Sequence, residues 1–432
     1  MPHPRERRPR RPIVQLDRLM RNALALMISS GGSAVLGLVF WILAAHVATT
    51  TVVGKTTAAI AAMLLLATLA QLSFGSIFER FLPVAGDLTR SFVRRSYVLT
   101  VTTAVILTVG YIALGFDHRF LPPSFGWKVF FVAAVVLWAI FALQDSVLVG
   151  LRASKWVAVE NIGYGIAKLA LLPVFVLVSR TQGIFIAWTI PVGAALVGVS
   201  WYLFRHRIPS HMAASSRTED LPTTRELIWL SSAQYASLLS TVFLPSIVTL
   251  IVIVRLGAVS NAYYYLPAMI ATNLQALAFG VVRSFLVEAS SEPHALKAHA
   301  DSAIRGLAAV MIPGVVLGII FAPVYLRVFG DAYARHGTDL MRMLLLSLVG
   351  TSVMIFYSTF AWLDKRLWWI TARNVAFSAI YLIAIVALIG RLGINAIGVA
   401  SLIWGGLTVA IFLPASINRY RRITTPVSAT TE

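Results

Sequence analysis

The residue best placed to do chemistry is Lys168, a full positive charge inside the apolar run ENIGYGIAKLALLPVFVLV. Asn161, Tyr164 and Lys168 are spaced i, i+3 and i+7, so a helix places them on one face. A lysine at the centre of a membrane costs about 2.5–3.5 kcal/mol, so it faces the protein interior or a water-filled cavity. The spacing therefore predicts either a cation that lines a central path and attracts an anionic ligand, or a structural ion pair with Asp145 or Glu160.

Two arginines, Arg80 and Arg283, lie at matching places in the two halves of the sequence. Each follows a Phe-Gly pair, in QLSFGSIFERFLP and ALAFGVVRSFLVE, and the two pairs are 205 residues apart. Because a guanidinium fork suits phosphate oxygens, the pair predicts phosphate capture at the cytoplasmic mouth of a cavity. The alternative is the ordinary enrichment of basic residues on the cytoplasmic side.

The uncharged polar residues within the apolar runs include the cavity candidates Gln144, Gln234, Asn273 and Gln275. In a cavity, their amides would hydrogen-bond sugar hydroxyls. Alternatively they join neighbouring helices, which contributes about 0.6 kcal/mol per bond in a membrane.

Pro245 and Pro267 lie inside two further apolar runs. A proline within a helix removes one backbone hydrogen bond and tends to kink the helix. The two prolines are therefore candidate gating positions, where bending accompanies the opening of a cavity; static kinks are the alternative.

Catalytic motifs are missing from the sequence. The chain has no cysteine, which excludes thiolate nucleophiles and thiolate metal sites. It also lacks the Walker A, G-x-S-x-G and H-E-x-x-H patterns. We therefore predict no enzyme activity, no metal and no cofactor.

The elements that must position these residues are membrane-spanning helices. Hydrophobic residues make up 58% of the chain and charged residues 12%, against about 25% charged in soluble domains. Apolar runs of about 20 residues are long enough to cross a bilayer, and backbone groups in lipid require helices. The sequence predicts an all-α polytopic protein with twelve spans, at 23–48, 57–76, 97–115, 128–149, 157–178, 183–204, 228–254, 262–286, 302–322, 340–360, 369–390 and 394–417.

The distribution of lysine and arginine predicts the orientation. With the N-terminus inside, 26 of the 36 basic residues lie on the cytoplasmic side and 9 outside, with Lys168 in a span. The positive-inside rule then places both termini of this multi-pass protein in the cytoplasm. We predict that its spans lie in the plasma (inner) membrane. The net charge of +19 predicts contact with anionic membrane lipids and not with nucleic acid.

The polar break at 205–226 divides the spans into two sets of six. We predict a basic cytoplasmic tail at 1–22 with an interfacial helix, six-helix lobes at 23–204 and 227–418 joined by a cytoplasmic linker at 205–226, and a tail at 419–432. Six is even, so both lobes enter the membrane from the same side and form a parallel repeat. Two such lobes would enclose a central cavity.

The stretch WILAAHVATTTVVGKTTAAIAAMLLLATLAQLSFGSIFERFLP resembles the opening of polysaccharide flippases in the multidrug/oligosaccharidyl-lipid/polysaccharide exporter superfamily. The resemblance lies in the small residues of the first span, in Gly54 of the short loop, and in the element from Gly75 to Phe81. The segment IVRLGAVSNAYYYLPAMIA resembles the matching element of the second half.

This resemblance implies two six-helix lobes and the movement of a lipid-linked oligosaccharide, on undecaprenyl pyrophosphate, between leaflets. It implies that cavity cations engage the pyrophosphate, and it makes glycan polymerases and glycosyltransferases the expected partners. Two alternatives stay open: a cation-coupled drug or metabolite antiporter of the related multidrug-extrusion branch, and a membrane glycan polymerase or ligase.

Overall fold

The computed structural model describes residues 31–214, 224–291, 296–363 and 367–424. Every regular element in this part of the chain is helical, which confirms the all-α prediction. The predicted basic tail at 1–22 with its interfacial helix lies outside the described residues, as does the C-terminal tail from residue 425.

The first half forms eight α-helices within the described residues. The last two are joined by a π-helical stretch, Leu203–Arg207, so that the predicted interlobe linker is helical as far as Ala214. Residues 215–223 of that linker lie outside the described part. The helices are α1 (Gly31–Val47), α2 (Thr50–Ala70), α3 (Phe74–Phe81), α4 (Thr89–Ala113), α5 (Phe125–Gly150), α6 (Ser154–Val178), α7 (Gly183–Tyr202) and α8 (Ile208–Ala214).

The second half continues with six helical runs in the part of the chain that is described. They are α9 (Thr224–Ser291), α10 (Leu296–Ile320), α11 (Ala322–Arg327), α12 (Asp331–Leu363), α13 (Leu367–Leu392) and α14 (Asn395–Thr424).

Helix α9 reverses direction at Gly257, whose φ of 85° and ψ of 179° break the helix. Glycine has no Cβ and adopts positive φ without strain, which suits it to this position. Leu244 and Phe279 line one cavity, whereas a continuous helix would separate them by about 52 Å at 1.5 Å per residue. The two arms of α9 therefore lie side by side.

Ten stretches of the described chain are long and apolar enough to cross a membrane. One of them, Phe243–Val282, contains both arms of α9 and counts as two crossings once it is divided at Gly257. The shorter apolar helix Gly31–Val47 adds one more. The described part of the chain thus contains twelve apolar helical segments, the number of spans that the sequence predicted.

Each half has its own apolar core. The first is centred on α2 and includes Phe40, Trp41 and Phe131, all at most 1% exposed. The second joins α9 to α10, α12, α13 and α14 around residues such as Val252 and Leu340. The first core also takes in residues of α9, so the two halves share packing where α2 meets α9.

The two halves are in direct contact at the Gly54–Asn261 junction. A Cβ at Gly54 would overlap the carbonyl oxygen of Ala258, so only glycine fits there. Asn261 is fully buried, and its Nδ2 donates to the oxygen of Gly54 (2.8 Å) and to Oγ1 of Thr57 (3.0 Å).

The residues that meet at this junction are equivalent in the two halves. Gly54 and Ala258 are 204 residues apart, and so are Thr57 and Asn261. This offset differs by one from the offset of the two Phe-Gly pairs. Because equivalent residues touch, the junction lies on the axis that relates the halves.

Candidate functional site

Lys168 is buried in the first half and surrounded by aromatic rings. Its side chain is 5% exposed. Its Nζ lies 4.0 Å from the ring centre of Trp188, 4.9 Å from that of Tyr164 and 5.2 Å from that of Phe40. We call these three rings and the lysine the Lys168 cage.

Three helices build the cage. Tyr164 precedes Lys168 by one turn of α6, while α1 contributes Phe40 and α7 contributes Trp188. The Tyr164 hydroxyl donates to the backbone oxygen of Trp188 (3.1 Å), which ties α6 to α7. Trp41 and Trp138 are not part of the cage but pack against Trp188. Their ring centres lie 5.9 and 6.1 Å from the ring centre of Trp188.

Within the described chain, Lys168 forms no ion pair with Asp145 or Glu160. Asp145 instead accepts two hydrogen bonds from Nδ2 of Asn161, at 3.2 and 3.0 Å. The ammonium is held by cation–π attraction, which is worth about 2 kcal/mol or more when water is excluded. The rings carry no charge, so no negative side chain of the cage neutralises the ammonium.

A cavity of about 350 Å³ lies in the second half, between α9, α12, α13 and α14. The sequence predicted a cavity between the halves, whereas this one lies inside the second. Among the residues that the structure describes, no acidic or basic side chain lines it. Its hydrogen-bonding and aromatic lining consists of Tyr264, Thr272, Gln275, Phe279, Ser347, Thr351, Asn374, Phe377, Ser378, Tyr381, Ser401 and Trp404.

A buried arginine, Arg373, lies directly behind the cavity wall and is 8% exposed. Its Nη2 donates to Oδ1 of Asn374 (2.8 Å) and to Oγ of Ser358 (3.0 Å). Its guanidinium carbon lies 5.2 Å from the ring centre of Phe412. A cation thus orients the amide of Asn374 at the cavity surface.

The cage and the cavity occupy equivalent places in the two halves. In α6 the chain reads ENIGYGIAKL from residue 160, and in α13 it reads RNVAFSAIYL from residue 373, an offset of 213. This offset pairs Asn161 with Asn374 and Lys168 with Tyr381.

The contacts between helices follow the same relation. The offset of 213 also pairs Trp188 of α7 with Ser401 of α14. The approach of Lys168 to Trp188 therefore corresponds to the hydrogen bond between Tyr381 Oη and Ser401 Oγ (3.2 Å). In the first half, aromatic rings fill the space between these helices. In the second half, smaller side chains such as that of Ser401 leave the corresponding space open as the cavity.

Several other predicted site residues lie apart from the cage. Gln275 and Pro245 line the cavity, and Asn273 is half-buried nearby on α9 but does not line it. Pro267 is buried and packs closely against Gly337.

Gln144 and Arg80 belong to neither the cage nor the cavity. Gln144 is fully buried, and its Nε2 donates to Oγ of Ser200 (3.4 Å), which joins α5 to α7. Arg80 is exposed at the end of α3, where its guanidinium lies over the ring of Phe81. The side chains of Gln234 and Arg283 lie outside the described residues.

The sequence prediction missed Arg373 and the cavity residues of α13 and α14. The sequence analysis included Arg373 only in the count of basic residues at the cytoplasmic ends of the spans, which predicts the orientation. The signal that identifies these residues is the repeated Asn with an aromatic residue three positions later, at an offset of 213. Among the described residues, no three His, Asp or Glu side chains group closely enough to hold a metal ion.

Comparison with known proteins gives one family match and several structural matches. The family model described as polysaccharide biosynthesis protein matches residues 19–292. No curated protein matches the chain.

The similar solved structures are transporters. An outward-facing multidrug resistance MATE family transporter of the MOP superfamily has a TM-score of 0.61 and 14% identity, covering 94% of this chain and 96% of that one. A MOP superfamily transporter from Pyrococcus furiosus has a TM-score of 0.60 and 14% identity, covering 95% and 96%. A MATE structure in the straight conformation has a TM-score of 0.61 and 14% identity, covering 94% and 96%.

Proposed function

Because this chain belongs to the polysaccharide biosynthesis protein family, we propose that it flips a lipid-linked oligosaccharide from the inner to the outer leaflet by alternating access. It is a multi-pass membrane protein with the fold of MOP superfamily transporters. The proposed carrier lipid is undecaprenyl pyrophosphate, and the product supplies surface polysaccharide synthesis. Both termini are proposed to lie in the cytoplasm.

The observation that carries this proposal is the lining of the cavity in the second half. Gln275, Asn374 and Ser378 present uncharged hydrogen-bonding groups, and Trp404 presents an aromatic ring. Small-molecule sites combine apolar walls with a few placed polar groups, and sugars offer hydroxyls to the polar groups and C–H faces to the ring. The described part of the lining has no carboxylate, which suits a neutral polyol better than a cationic drug.

Two buried cations support a role for the pyrophosphate. Lys168 lies inside the cage and has no carboxylate partner among the described residues. Arg373 lies behind the wall of the cavity in the second half, where it donates to Asn374. Buried charges of this kind line transport paths in membrane proteins, so we propose that these two cations attract the anionic head of the lipid.

The test is a flipping assay in proteoliposomes. The probe is undecaprenyl-pyrophosphate-linked oligosaccharide with a nitrobenzoxadiazole group on the glycan, which external dithionite bleaches only in the outer leaflet. Vesicles with the protein should lose all of the fluorescence, whereas empty vesicles should retain the inner-leaflet fraction. Equal retention in both would overturn the proposal.

Substitutions test which residues line the proposed transport path. Gln275→Ala and Asn374→Ala each remove a hydrogen bond of about 1 kcal/mol, so each should slow flipping about fivefold at equal protein level. Lys168→Ala should also slow flipping, whereas Lys155→Ala, an exposed lysine on the same helix, should not. Normal rates for all three site variants would place the glycan elsewhere.

A cation-coupled antiporter of drugs or metabolites is the second candidate function. The observation in its favour is that Asp145 and Glu160 are partly or fully buried in the first half. The discriminating measurement is the export of a cationic dye from the same vesicles without glycan lipid. Dye export against a gradient, with no glycan flipping, would favour the antiporter.

A further inference from the structure

The Lys168 cage has the geometry of a binding site for an organic cation. Its three ring centres lie between 4.0 and 5.2 Å from the ammonium nitrogen, and the lysine is only 5% exposed. A ring within about 6 Å of a positive charge attracts it, and aromatic cages of this kind recognise quaternary ammonium ligands such as choline. Here the cation inside the cage belongs to the chain itself.

The rings of the cage are held by contacts that do not involve the lysine. The Tyr164 hydroxyl donates to the backbone oxygen of Trp188 (3.1 Å). The rings of Phe40 and Trp188 meet edge to face, with their centres 5.3 Å apart. Trp41 and Trp138 support Trp188 from other directions. We therefore expect the three rings to keep their places around an empty space when the lysine side chain is removed.

The second half shows that the fold accommodates an open space at the equivalent place. The residues equivalent to the three rings of the cage all line the cavity of about 350 Å³. At offsets of 213 and 204 they are Phe377, Ser401 and Leu244. Lys168 itself corresponds to Tyr381, which also lines the cavity. A place that is open to a ligand in the second half is thus occupied in the first half by a lysine and larger rings.

While Lys168 occupies the cage, a second cation is excluded. The ammonium takes up the space between the rings, and two positive charges at contact distance repel strongly where water is excluded. Within the described helices, no carboxylate pairs with the ammonium to offset this repulsion. We propose that the Lys168 cage is a binding site for small organic ammonium ions that the protein's own lysine occupies, so that Lys168 is the specificity-determining residue that keeps such cations out.

The test replaces the lysine side chain with a free molecule. Lys168→Ala keeps Cβ and removes the other carbons and the ammonium, which together are the atoms of n-propylammonium. n-Propanol has the same carbon chain without the charge and is the matched neutral probe. From the usual strength of a buried cation–π contact, n-propylammonium should bind Lys168→Ala about 30-fold more tightly than n-propanol does.

Two measurements on the purified full-length protein report this binding: the tryptophan emission and the thermal unfolding midpoint, each against an equal concentration of sodium chloride. n-Propylammonium should shift both in Lys168→Ala. It should shift neither in the wild type nor in Lys155→Ala, which alters an exposed lysine of the same helix. Lys168→Met fills the cage with an uncharged chain and should respond to neither probe.

A further variant separates attraction by the rings from the filling of a hole. Phe40→Leu, combined with Lys168→Ala, removes one ring and copies Leu244 of the second half. It should reduce the preference for n-propylammonium over n-propanol. A purely structural role of the lysine would make the two probes equivalent, because both fill the same volume.

The proposal is overturned if the two probes bind Lys168→Ala equally, if neither binds, or if n-propylammonium binds the wild type as tightly as Lys168→Ala. A Lys168→Ala protein that folds only with n-propylammonium present would support it. Lys168→Ser, which also removes the ammonium, is the second variant; if neither variant folds even with that probe, a free cation cannot replace the lysine and the proposal fails. These measurements need no glycan lipid, so the inference does not rest on the proposed function and the failure of either is distinguishable.

Discussion

Replacing Asn261 with alanine is expected to open the Gly54–Asn261 junction, which is closed in this structure. The substitution removes two hydrogen bonds that Asn261 makes across the halves, to Gly54 and to Thr57. The oxygen of Gly54 keeps a partner, because the Thr57 hydroxyl donates to it at 3.0 Å. The Thr57 hydroxyl in turn keeps the bond that it donates, so neither group is left without a hydrogen bond.

The magnitude follows from these two bonds. Hydrogen bonds between membrane helices average about 0.6 kcal/mol, so the closed junction should lose about 1.2 kcal/mol. Since 1.4 kcal/mol corresponds to a tenfold change in an equilibrium constant, the ratio of open to closed protein should rise about sevenfold.

Spin labels can measure this ratio directly, because the chain contains no cysteine of its own. Lys55→Cys and Val259→Cys introduce one thiol on each side of the junction, both at exposed positions. Pulsed electron paramagnetic resonance then gives the distance distribution between the two labels. Asn261→Ala should increase the long-distance population.

Thr57→Ser is the matched control, because serine keeps the hydroxyl that bonds both Gly54 and Asn261. It should leave the distance distribution unchanged. The reasoning is refuted if Asn261→Ala shows the wild-type distribution, or if Thr57→Ser opens the junction as much as Asn261→Ala does.

Glycine and glutamine variants give further predictions, all checked by the thermal unfolding midpoint of the purified protein. Gly54→Ala should destabilise by about 1–3 kcal/mol through overpacking, whereas Gly37→Ala, with open space around it, should not. Gly350→Ala should lower the midpoint because its Cβ would overlap the backbone of α14, and Gly406→Ala, which faces open space, should raise it slightly. Gln144→Leu should leave the midpoint unchanged or raise it, because it removes a long hydrogen bond and a buried oxygen without a partner; a clear fall would contradict this.

The fold could be predicted from the sequence because membrane helices are encoded locally. Each span needs about 20 apolar residues regardless of its neighbours, so hydropathy predicted twelve spans. The break near Gly257 was also predictable, since the apolar runs at 228–254 and 262–286 are separate. The spacing of the apolar runs could not show that α9 reverses direction at a single residue, because this depends on how the two arms of α9 pack together.

The candidate site was predictable only where one helix determines it. The i, i+3, i+7 spacing placed Tyr164 beside Lys168, and the cost of a charge in lipid required the lysine to face inward. The rings of Phe40 and Trp188 come from other helices, so no pattern within α6 predicts their contact with Lys168. These rings hold the ammonium by cation–π contacts. The alternative that the sequence left open was an ion pair with Asp145 or Glu160.

The cavity was missed for a different reason. Arg373 lies near the start of a span, where the count of basic residues treats it as a marker of orientation. Its burial and its bond to Asn374 depend on how α13 packs against α12 and α14. Only the repeat at an offset of 213 links Asn374 to Asn161, and this repeat is faint enough that contacts between helices are needed to recognise it.

The Lys168 cage also makes the protein its own optical reporter. Indole fluorescence depends on the electric field at the ring, and the ammonium lies 4.0 Å from the ring centre of Trp188. Trp41 and Trp138 lie close enough to share excitation with it. If the cargo carries a phosphate that draws the ammonium away, as proposed, its arrival should shift the emission of this indole cluster, which can be followed in real time without an added dye.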